Sequence, residues 1–321
     1  MKYRQLGARG PTVSVVGLGG NNFGSRLDED GTKAVVDAAL DAGITLFDTA
    51  DMYGAGVGDR GGARGDSERL LGAALKGPKR ERAVLASKFG MEMYSDDGPS
   101  APEAARLGPR GARPYIRHAV EASLRRLGTD RIDLYQYHEP DGVTPLDETV
   151  AALRELVDEG KILHLGCSNL PADALTSDFV SVQARHHLLD RGAEADLVPA
   201  CLRTGVALLP YYPLANGLLT GKYHRGQPPP PGSRLTWRQG WLTDPALDRV
   251  EALTAYGAAR GLTLLEVAVG ALAALPAVGS VLCGAMTPAQ VTANASAADW
   301  TPDAADLAAL DAIVGPGERV V

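Results

Sequence analysis

The chain has 321 residues, enough for two average domains or one large α/β barrel. Its formal net charge of −7 disfavours non-specific binding to nucleic acid or to an anionic membrane. The amino terminus lacks the apolar segment of a secretory signal, and the most apolar run, 262–278, contains a glutamate and a proline, so we expect a buried helix there and no membrane span. Three widely spaced cysteines form neither a metal pattern nor a disulfide framework, which favours a reduced cytoplasmic protein.

The amino-terminal residues predict a small hairpin over 2–6 and 12–15, followed by a strand over 13–20 that runs into a glycine turn. Gly17 and Gly19 begin a dinucleotide fingerprint, but Asn22 stands where its third glycine belongs. A Rossmann fold is therefore disfavoured.

From this point helices and strands alternate. The predicted strands cover 44–50, 83–88, 133–138, 162–168, 180–183, 206–211 and 280–284. The predicted helices cover 32–42, 67–76, 114–127, 145–159, a short segment after Pro171, 193–204, 245–260, 264–274, one that opens with a capping box at Thr287–Gln290, and one that ends near Val314.

Counting 13–20, the pattern contains eight apolar strands separated by helices. Continuous apolar strands are typical of a parallel sheet that is covered on both faces. We therefore predict one (β/α)8 TIM barrel domain over 1–321, with an amino-terminal hairpin and long βα loops at 54–66, 91–113 and 223–244. An open doubly wound sheet is the alternative.

Polar side chains recur where these apolar strands end. They are Asp48, Lys88, His138, Ser168 with Asn169, Gln183 and Tyr211. In a barrel the carboxyl ends of all strands meet on one face, which holds the active site. Any one of these residues has a structural explanation, but the recurrence at one register indicates a site.

The residue types suggest carbonyl chemistry. Tyr53 is the candidate general acid, and a lysine about 4 Å away would lower the pKa of a phenol by roughly three units. We expect Lys88 to have this role, Asp48 to orient Lys88, and His138 to hold a substrate carbonyl.

No side chain donates hydride, so a nicotinamide cofactor is implied. Tyr211 offers a flat face for its ring, and Ser168, Asn169 and Gln183 are suited to its carboxamide. The helix that begins at Thr287 follows the last strand, which is a usual phosphate site in barrels.

With these residues in view, the chain resembles the aldo-keto reductases almost end to end. The matching stretches are Gly17-Leu-Gly-Gly20, Phe47-Asp-Thr-Ala-Asp-Met-Tyr-Gly54, Ser67-Glu-Arg-Leu-Leu-Gly72, Ala86-Ser-Lys-Phe-Gly90, Asp133-Leu-Tyr-Gln-Tyr-His138, Gly166-Cys-Ser-Asn169, Pro213-Leu214, Gly217-Leu-Leu-Thr-Gly-Lys-Tyr223 and Gly284-Ala285 with Gln290 and Asn294. The similarity is greatest to the bacterial branch that acts on sugars, aldehydes and ketones.

The resemblance implies a catalytic tetrad of Asp48, Tyr53, Lys88 and His138, and NADPH bound in an extended form, with 217–223 closing over its pyrophosphate. The implied cofactor residues are Gly20, Asn21, Ser168, Asn169, Gln183, Tyr211, Pro213, Leu214, Gly217, Leu218, Thr220, Lys222, Gly284, Met286, Gln290 and Asn294.

The sequence departs from the family pattern in four places. Met286 stands where a polar or basic residue often contacts the 2′-phosphate, so NADH is not excluded. The run 184–187 replaces a more usual Asn-Glu-Tyr-Ser type of run, and Tyr212 often corresponds to serine. The loop 54–66 is long and glycine-rich, and its arginines, Arg60 and Arg64, are weak candidates for phosphate binding.

Two further pairs of residues are ambiguous. His186 and His187 could suggest a metal, but no partner residue has ligand spacing, so we expect none. Trp237 and Trp241 could line a substrate pocket or simply pack the long connection.

The residues and the resemblance together predict an NADPH-dependent reductase of an aldehyde or ketone, with a small-molecule carbonyl or alcohol substrate. Alternatives are a sugar or alcohol dehydrogenase working in the oxidative direction, a reductase of a natural-product ketone, and a non-catalytic cofactor-sensing subunit of the kind found with potassium channels. Neither the substrate nor the oligomeric state can be read from the sequence.

Overall fold

The computed structural model describes residues 1–55, 62–91 and 105–321. The strands are β1 (Tyr3–Gln5), β2 (Thr12–Ser14), β3 (Val16–Gly19), β4 (Leu46–Asp48), β5 (Val84–Phe89), β6 (Ile132–Tyr137), β7 (Ile162–Ser168), β8 (Ser181–Arg185), β9 (Ala207–Tyr211) and β10 (Val281–Gly284). The α-helices are α1 (Glu29–Asp41), α2 (Asp66–Ala74), α3 (Arg113–Leu127), α4 (Leu146–Asp158), α5 (Leu197–Thr204), α6 (Asp244–Ala258), α7 (Leu264–Ala274), α8 (Pro288–Ala297) and α9 (Ala304–Ile313).

Eight strands form one parallel sheet in the order β10-β3-β4-β5-β6-β7-β8-β9. The sheet closes because Leu208 of β9 pairs with the segment before β10: its N–H donates to Ala277 at 2.7 Å, and its carbonyl accepts from Gly279 at 3.0 Å. The predicted (β/α)8 barrel is therefore confirmed, and the open doubly wound sheet is wrong.

The amino-terminal hairpin lies across the end of the barrel opposite the carboxyl ends of the strands. β1 and β2 pair antiparallel, and Leu6 and Val13 are fully buried against barrel side chains such as Leu46 and Leu134. Apolar burial of this kind stabilises by about 25 cal/mol per Å². The hairpin leaves the carboxyl ends of the strands as the face for a site.

The main apolar core lies between the barrel and its helices, where strand residues such as Phe47 and Tyr135 meet helix residues such as Val36, Ile116 and Leu153. α7 is one of the most buried helices, in agreement with the prediction over 262–278. None of the helices in the described ranges is long and apolar enough to cross a bilayer.

Two local predictions are wrong. The residues after Pro171 form turns and no helix, because the chain passes from β7 to β8 through a short connection. The capping box at Thr287 is incomplete: the Thr287 side chain accepts from the Gln290 N–H, but the Gln290 side chain accepts from the Met286 N–H at 2.7 Å. The glutamine thus closes a turn one residue earlier than expected.

Candidate active site

The predicted polar residues lie at or near the carboxyl ends of the barrel strands, with Gln183 the third of the five residues of β8. Asp48, Ser168 and Tyr211 are the last residues of β4, β7 and β9, and Lys88 is the penultimate residue of β5. His138 directly follows β6. Parallel strands with closely matched registers bring these side chains to one face of the barrel.

Lys88 is the centre of this face and is only 1% exposed. Its Nζ donates to Asp48 Oδ2 at 2.6 Å, to the Thr49 carbonyl at 3.0 Å and to the Tyr53 hydroxyl at 3.2 Å. Burial alone would lower the pKa of Lys88, but Asp48 and Tyr53 outweigh burial and raise it. The lysine is therefore a charged ammonium whose three hydrogens are all directed to acceptors.

Asp48 accepts hydrogen bonds on both carboxylate oxygens. Oδ2 receives Lys88, while Oδ1 receives Gln183 Nε2 at 2.6 Å and Gln136 Nε2 at 3.0 Å. The two glutamines also contact each other, since Gln183 Nε2 donates to Gln136 Oε1 at 2.9 Å. The buried carboxylate is thus well compensated as an anion.

Tyr53 differs from the prediction in the direction of its pKa. Burial raises the pKa of the phenol above its usual value, and Lys88 lowers it by less than burial raises it. Lys88 acts in the predicted direction, but the prediction neglected the cost of placing a phenolate in a buried site. In this structure Tyr53 holds its proton firmly at neutral pH.

His138 stands beside Tyr53, with the two rings edge to face at a centroid distance of 5.8 Å. Burial, with a smaller effect of Lys88, lowers the pKa of His138 to about 3, so its imidazole is neutral near pH 7. Its buried Nδ1 has no hydrogen-bond partner within the described residues. The His138 carbonyl accepts from Asn169 Nδ2 at 3.1 Å, and Asn169 Oδ1 accepts from the Tyr211 hydroxyl at 2.9 Å.

The backbone of this face is strained. The non-glycine residues of the described chain with positive φ are all here: Asn169, Tyr212, Ala215 and Asn216 have φ between 47° and 57°. Such strain persists only where the surroundings enforce it, and it is frequent at functional sites.

The predicted cofactor residues after β9 form a tight irregular segment. Pro213 and Leu214 lead into a 3₁₀ segment, Ala215–Thr220, and the Thr220 hydroxyl donates to the Gly217 carbonyl at 2.7 Å. Lys222 Nζ lies 5.3 Å from the Tyr223 ring centroid. Leu218 is fully buried in an apolar cluster, so only its backbone is suited to a ligand.

The other predicted cofactor residues lie around the β3 and β10 ends. The Gly20 N–H donates to the Asp48 carbonyl at 2.7 Å, and the half-buried Asn21 follows it. Asn294 Nδ2 donates to the Gly284 carbonyl at 3.3 Å, while Met286 is bound to Gln290 as described above. The turn after β3 and the turn after β10 are joined by Asn22, whose Nδ2 donates to the Ala285 carbonyl at 3.4 Å.

The sequence analysis did not identify Arg234, which lies in the long connection after β9. Its guanidinium donates to Asn22 Oδ1 at 2.8 Å and to Asn216 Oδ1 at 3.5 Å, and no carboxylate pairs with it in the described ranges. Burial lowers its pKa, and the charges of Arg26 and Arg238 also disfavour its cation. A half-buried cation with neutral partners and cationic neighbours suits an anion.

The remaining candidates follow the carboxyl end of β8, lie in the connection after β9, or fall outside the described residues. Trp241 packs near His187, at a ring-centroid distance of 6.1 Å, whereas Trp237 remains 48% exposed. His186 and His187 are fully buried. Arg60 falls outside the described residues, as do 56–61 of the first long loop and 92–104 of the second.

The described residues fit a nicotinamide dinucleotide. Neutral amide and hydroxyl groups surround the hydrogen-bonded group of Lys88, Asp48 and Tyr53, and a tyrosine ring closes the β9 end. Between the β3 turn and the 3₁₀ segment lies Arg234, a cation that pairs with no carboxylate of the described residues. The backbone is uncrowded at Gly284, where a Cβ would make only ordinary contacts, with Asn22 Nδ2 at 3.5 Å and the Gly19 carbonyl at 4.0 Å.

Comparison with known proteins supports this interpretation. The aldo/keto reductase family model matches residues 15–314. An uncharacterised oxidoreductase of Bacillus subtilis (strain 168) is 40% identical over 238 residues, covering 69% of each chain. A probable aldo-keto reductase 1 of Glycine max is 34% identical over 231 residues, covering 68% of this chain and 61% of the relative.

A probable voltage-gated potassium channel subunit beta of Oryza sativa subsp. japonica is 30% identical over 325 residues, covering 94% of this chain and 92% of the relative. The family match spans nearly the whole barrel and includes every strand on which the candidate site is built. The chain therefore belongs to the aldo/keto reductase family of NAD(P)H-dependent oxidoreductases.

Proposed function

We propose that this oxidoreductase reduces an aldehyde or ketone to the alcohol with NADPH, and that Tyr53 donates the proton. The observation that carries the proposal is the three-way contact of Lys88 with Asp48, Thr49 and Tyr53. Because the ammonium can only donate, the Tyr53 oxygen accepts from it, and the phenolic proton is left for a substrate oxygen.

The raised pKa of Tyr53 suits a general acid. The phenol keeps its proton until negative charge develops on the carbonyl oxygen, and the Lys88 ammonium at 3.2 Å then stabilises the tyrosinate. His138 is neutral, so its ring can donate one N–H to the same carbonyl oxygen. When bound, the nicotinamide supplies the hydride, which no side chain can provide.

The residues proposed to hold the cofactor surround this relay. Tyr211 offers its ring face, Ser168, Asn169 and Gln183 surround the carboxamide, and Gly20, Asn21, Gly284, Met286, Gln290, Asn294 and the segment 213–222 follow the rest of the dinucleotide. The three cysteines are free and buried, which supports the predicted reducing, cytoplasmic compartment.

The preference for NADPH over NADH rests on Arg234. Its guanidinium, which meets no carboxylate in the described part of the chain, provides together with Arg26 and Arg238 the positive charge that Met286 does not. We expect Arg234→Met to weaken NADPH binding at least 10-fold and NADH binding by less than about threefold, since a charge-assisted hydrogen bond contributes ~1.5–3 kcal/mol. Titration of tryptophan fluorescence measures both constants. Equal losses of affinity for the two cofactors would exclude a role for Arg234 in binding the 2′-phosphate.

The central test is Tyr53→Phe, which removes the transferable proton and keeps the ring. We expect turnover on a panel of aldehydes and ketones to fall at least 10³-fold, while NADPH still binds. Tyr3→Phe is the matched control, because the exposed Tyr3 donates to the Gly43 carbonyl at 3.0 Å in the amino-terminal hairpin, away from Lys88. A fully active Tyr53→Phe enzyme would exclude the mechanism.

A second candidate function is a cofactor-sensing regulatory subunit. It is favoured by the rice relative, which is named a potassium channel β subunit and matches 94% of this chain. The two functions differ in turnover: a reductase completes many cycles on some carbonyl, whereas a sensor binds NADPH and turns over slowly on every member of the panel.

Oxidation of an alcohol or sugar is the reverse reaction and would speed up with rising pH, because Tyr53 must then be ionised.

A further inference from the structure

Gln136 is a buried polar residue of β6 to which the proposed chemistry assigns no role. Its side chain is fully buried inside the barrel and contacts both Asp48 and Gln183. Neither residue is close to it in sequence, so the contacts come from the closed barrel alone.

The orientation of the two amides follows from the chemistry of Asp48. An ionised carboxylate only accepts hydrogen bonds, so both glutamines must turn their NH₂ groups to Oδ1. The oxygen of Gln136 then accepts the second hydrogen of Gln183 at 2.9 Å. This arrangement has one solution, because reversing either amide would place an oxygen against the carboxylate.

Both hydrogens of the Gln183 amide therefore donate to neighbours, one to Asp48 and one to Gln136. The side chain can make a further hydrogen bond only through its oxygen, as an acceptor. Gln183 therefore suits the NH₂ of a carboxamide and not its oxygen.

We propose that Gln136 is a positioning residue that couples recognition of the nicotinamide carboxamide to the Asp48–Lys88 pair. This inference rests on the proposed function. The NH₂ group of Gln136 holds Asp48 toward Lys88. Its side-chain oxygen holds the amide of Gln183, so that only the oxygen of Gln183 is free to accept a further hydrogen bond.

Gly166 of β7 makes this position possible. A Cβ there would lie 2.7 Å from Gln136 Cγ and 3.0 Å from the Ser181 hydroxyl, so a larger residue would push Gln136 away from its partners. Ser181 lies in the same interior layer, and its buried hydroxyl has no partner in the described structure. Gly166→Ala is thus an indirect way to displace Gln136, and Ser181→Ala is a matched control.

The test uses Gln136→Met, which keeps length and removes both hydrogen bonds. Asp48 then loses one of the two donors to Oδ1 and is held on that side by Gln183 alone. We expect kcat to fall about 10-fold at neutral pH, with the KM of the carbonyl substrate little changed.

A binding measurement tests the coupling without turnover. In the 3-acetylpyridine analogue of NADPH a methyl group replaces the carboxamide NH₂, so its binding relative to NADPH reports on the Gln183 acceptor. We expect wild type to prefer NADPH about 10-fold, and Gln136→Met to lose at least a factor of three of that preference, because Gln183 is then held by Asp48 alone. Gly166→Ala should lose preference in the same direction, and Ser181→Ala should match wild type.

The outcomes separate the two hypotheses. A kcat and an analogue preference equal to wild type in folded Gln136→Met would overturn the positioning role. Fully active Tyr53→Phe with a reduced preference in Gln136→Met would overturn the reductase mechanism alone. Wild-type protein that binds neither dinucleotide would overturn both.

Discussion

Asp48 and Asp51 are two buried carboxylates only three positions apart, yet their surroundings are opposite. Asp48 faces the barrel interior and accepts from Lys88, Gln136 and Gln183. Asp51 is 1% exposed, and its oxygens have no partner at bonding distance among the described residues; the Met52 N–H compensates them only partly. Burial, and then the charge of Glu68, raise the pKa of Asp51 to about 8.

The surroundings of Asp51 explain this difference. Glu68 of α2 is fully buried and forms an ion pair with Arg126 of α3 at 2.6 Å. The Arg126 guanidinium is therefore paired with Glu68 and does not compensate a charge on Asp51. Lys88, on the other side of the sheet, forms its ion pair with Asp48. Asp51 is therefore a neutral acid at pH 7. The comparison shows that the available donors and cations, and not depth, decide whether a buried carboxylate is charged.

The largest expected effect comes from making Asp48 resemble Asp51. Lys88→Met removes the cation, and we expect the free energy of unfolding at pH 7 to fall by about 3–5 kcal/mol, because a buried charge is left unpaired. Urea denaturation measures the loss, and turnover should disappear. The double variant Lys88→Met/Asp48→Asn should regain part of the stability; if it does not, the lost stability comes from packing and not from charge.

The reverse experiment replaces the buried carboxyl of Asp51 with a neutral amide. In the folded protein Asp51 keeps its proton up to about pH 8, whereas in the unfolded chain it ionises near its ordinary pKa of 3.8. Its burial therefore costs stability increasingly as pH rises between these values. Asp51→Asn removes this cost. A pKa shift from 3.8 to about 8 corresponds to about 5 kcal/mol, so we expect the variant to stabilise the protein by several kcal/mol at pH 8 and by little at pH 4. Urea denaturation across this pH range checks the prediction, with the exposed Asp41→Asn as control. A gain that does not depend on pH would contradict the assignment.

A third substitution tests the competition for Arg126. Glu68→Gln leaves the guanidinium without its carboxylate, and Asp51 becomes the acid that acts on it. We expect the pKa of Asp51 to fall and the loss of stability between pH 4 and pH 8 to become smaller, with a net cost of about 1–2 kcal/mol at pH 7. An unchanged pH dependence would show that Glu68 does not raise the proton affinity of Asp51.

The smallest expected effect separates the two faces of β5. Ser87 precedes Lys88 but points out of the barrel, where its hydroxyl donates to Glu68 Oε1 at 2.5 Å. We expect Ser87→Ala to lower the unfolding free energy by about 1 kcal/mol and to leave kcat within about twofold of wild type. A large loss of kcat would mean that the outer cluster contributes to the reaction.

Much of the fold could be predicted because each strand carries a local apolar pattern and each connection carries local turn chemistry. The eight parallel strands, the hairpin and the position of the polar residues at the strand ends follow from such patterns. The helix expected after Pro171 was wrong, because helical composition over a few residues does not outweigh a short connection between adjacent strands.

The candidate site could be predicted only in part. Asp48, Tyr53, Lys88 and His138 stand at strand ends, where the sequence signal is strong, and the structure brings them together. Arg234 has no local signal: its significance comes from Asn22, at the other end of the chain, and from the absence of a carboxylate partner among the described residues. Gln136 resembles any polar residue of an alternating strand until the barrel closes.

The sequence by itself therefore determined the order of the strands, the face on which polar residues collect and the types of groups available for chemistry, because these depend on neighbours along the chain. Only the tertiary structure decided which of these groups are charged. The pKa of Tyr53 rises instead of falling, Asp48 is ionised and Asp51 is neutral. These states depend on burial and on partners contributed by distant strands and helices, and electrostatic interactions in a dry interior are set by distance in space.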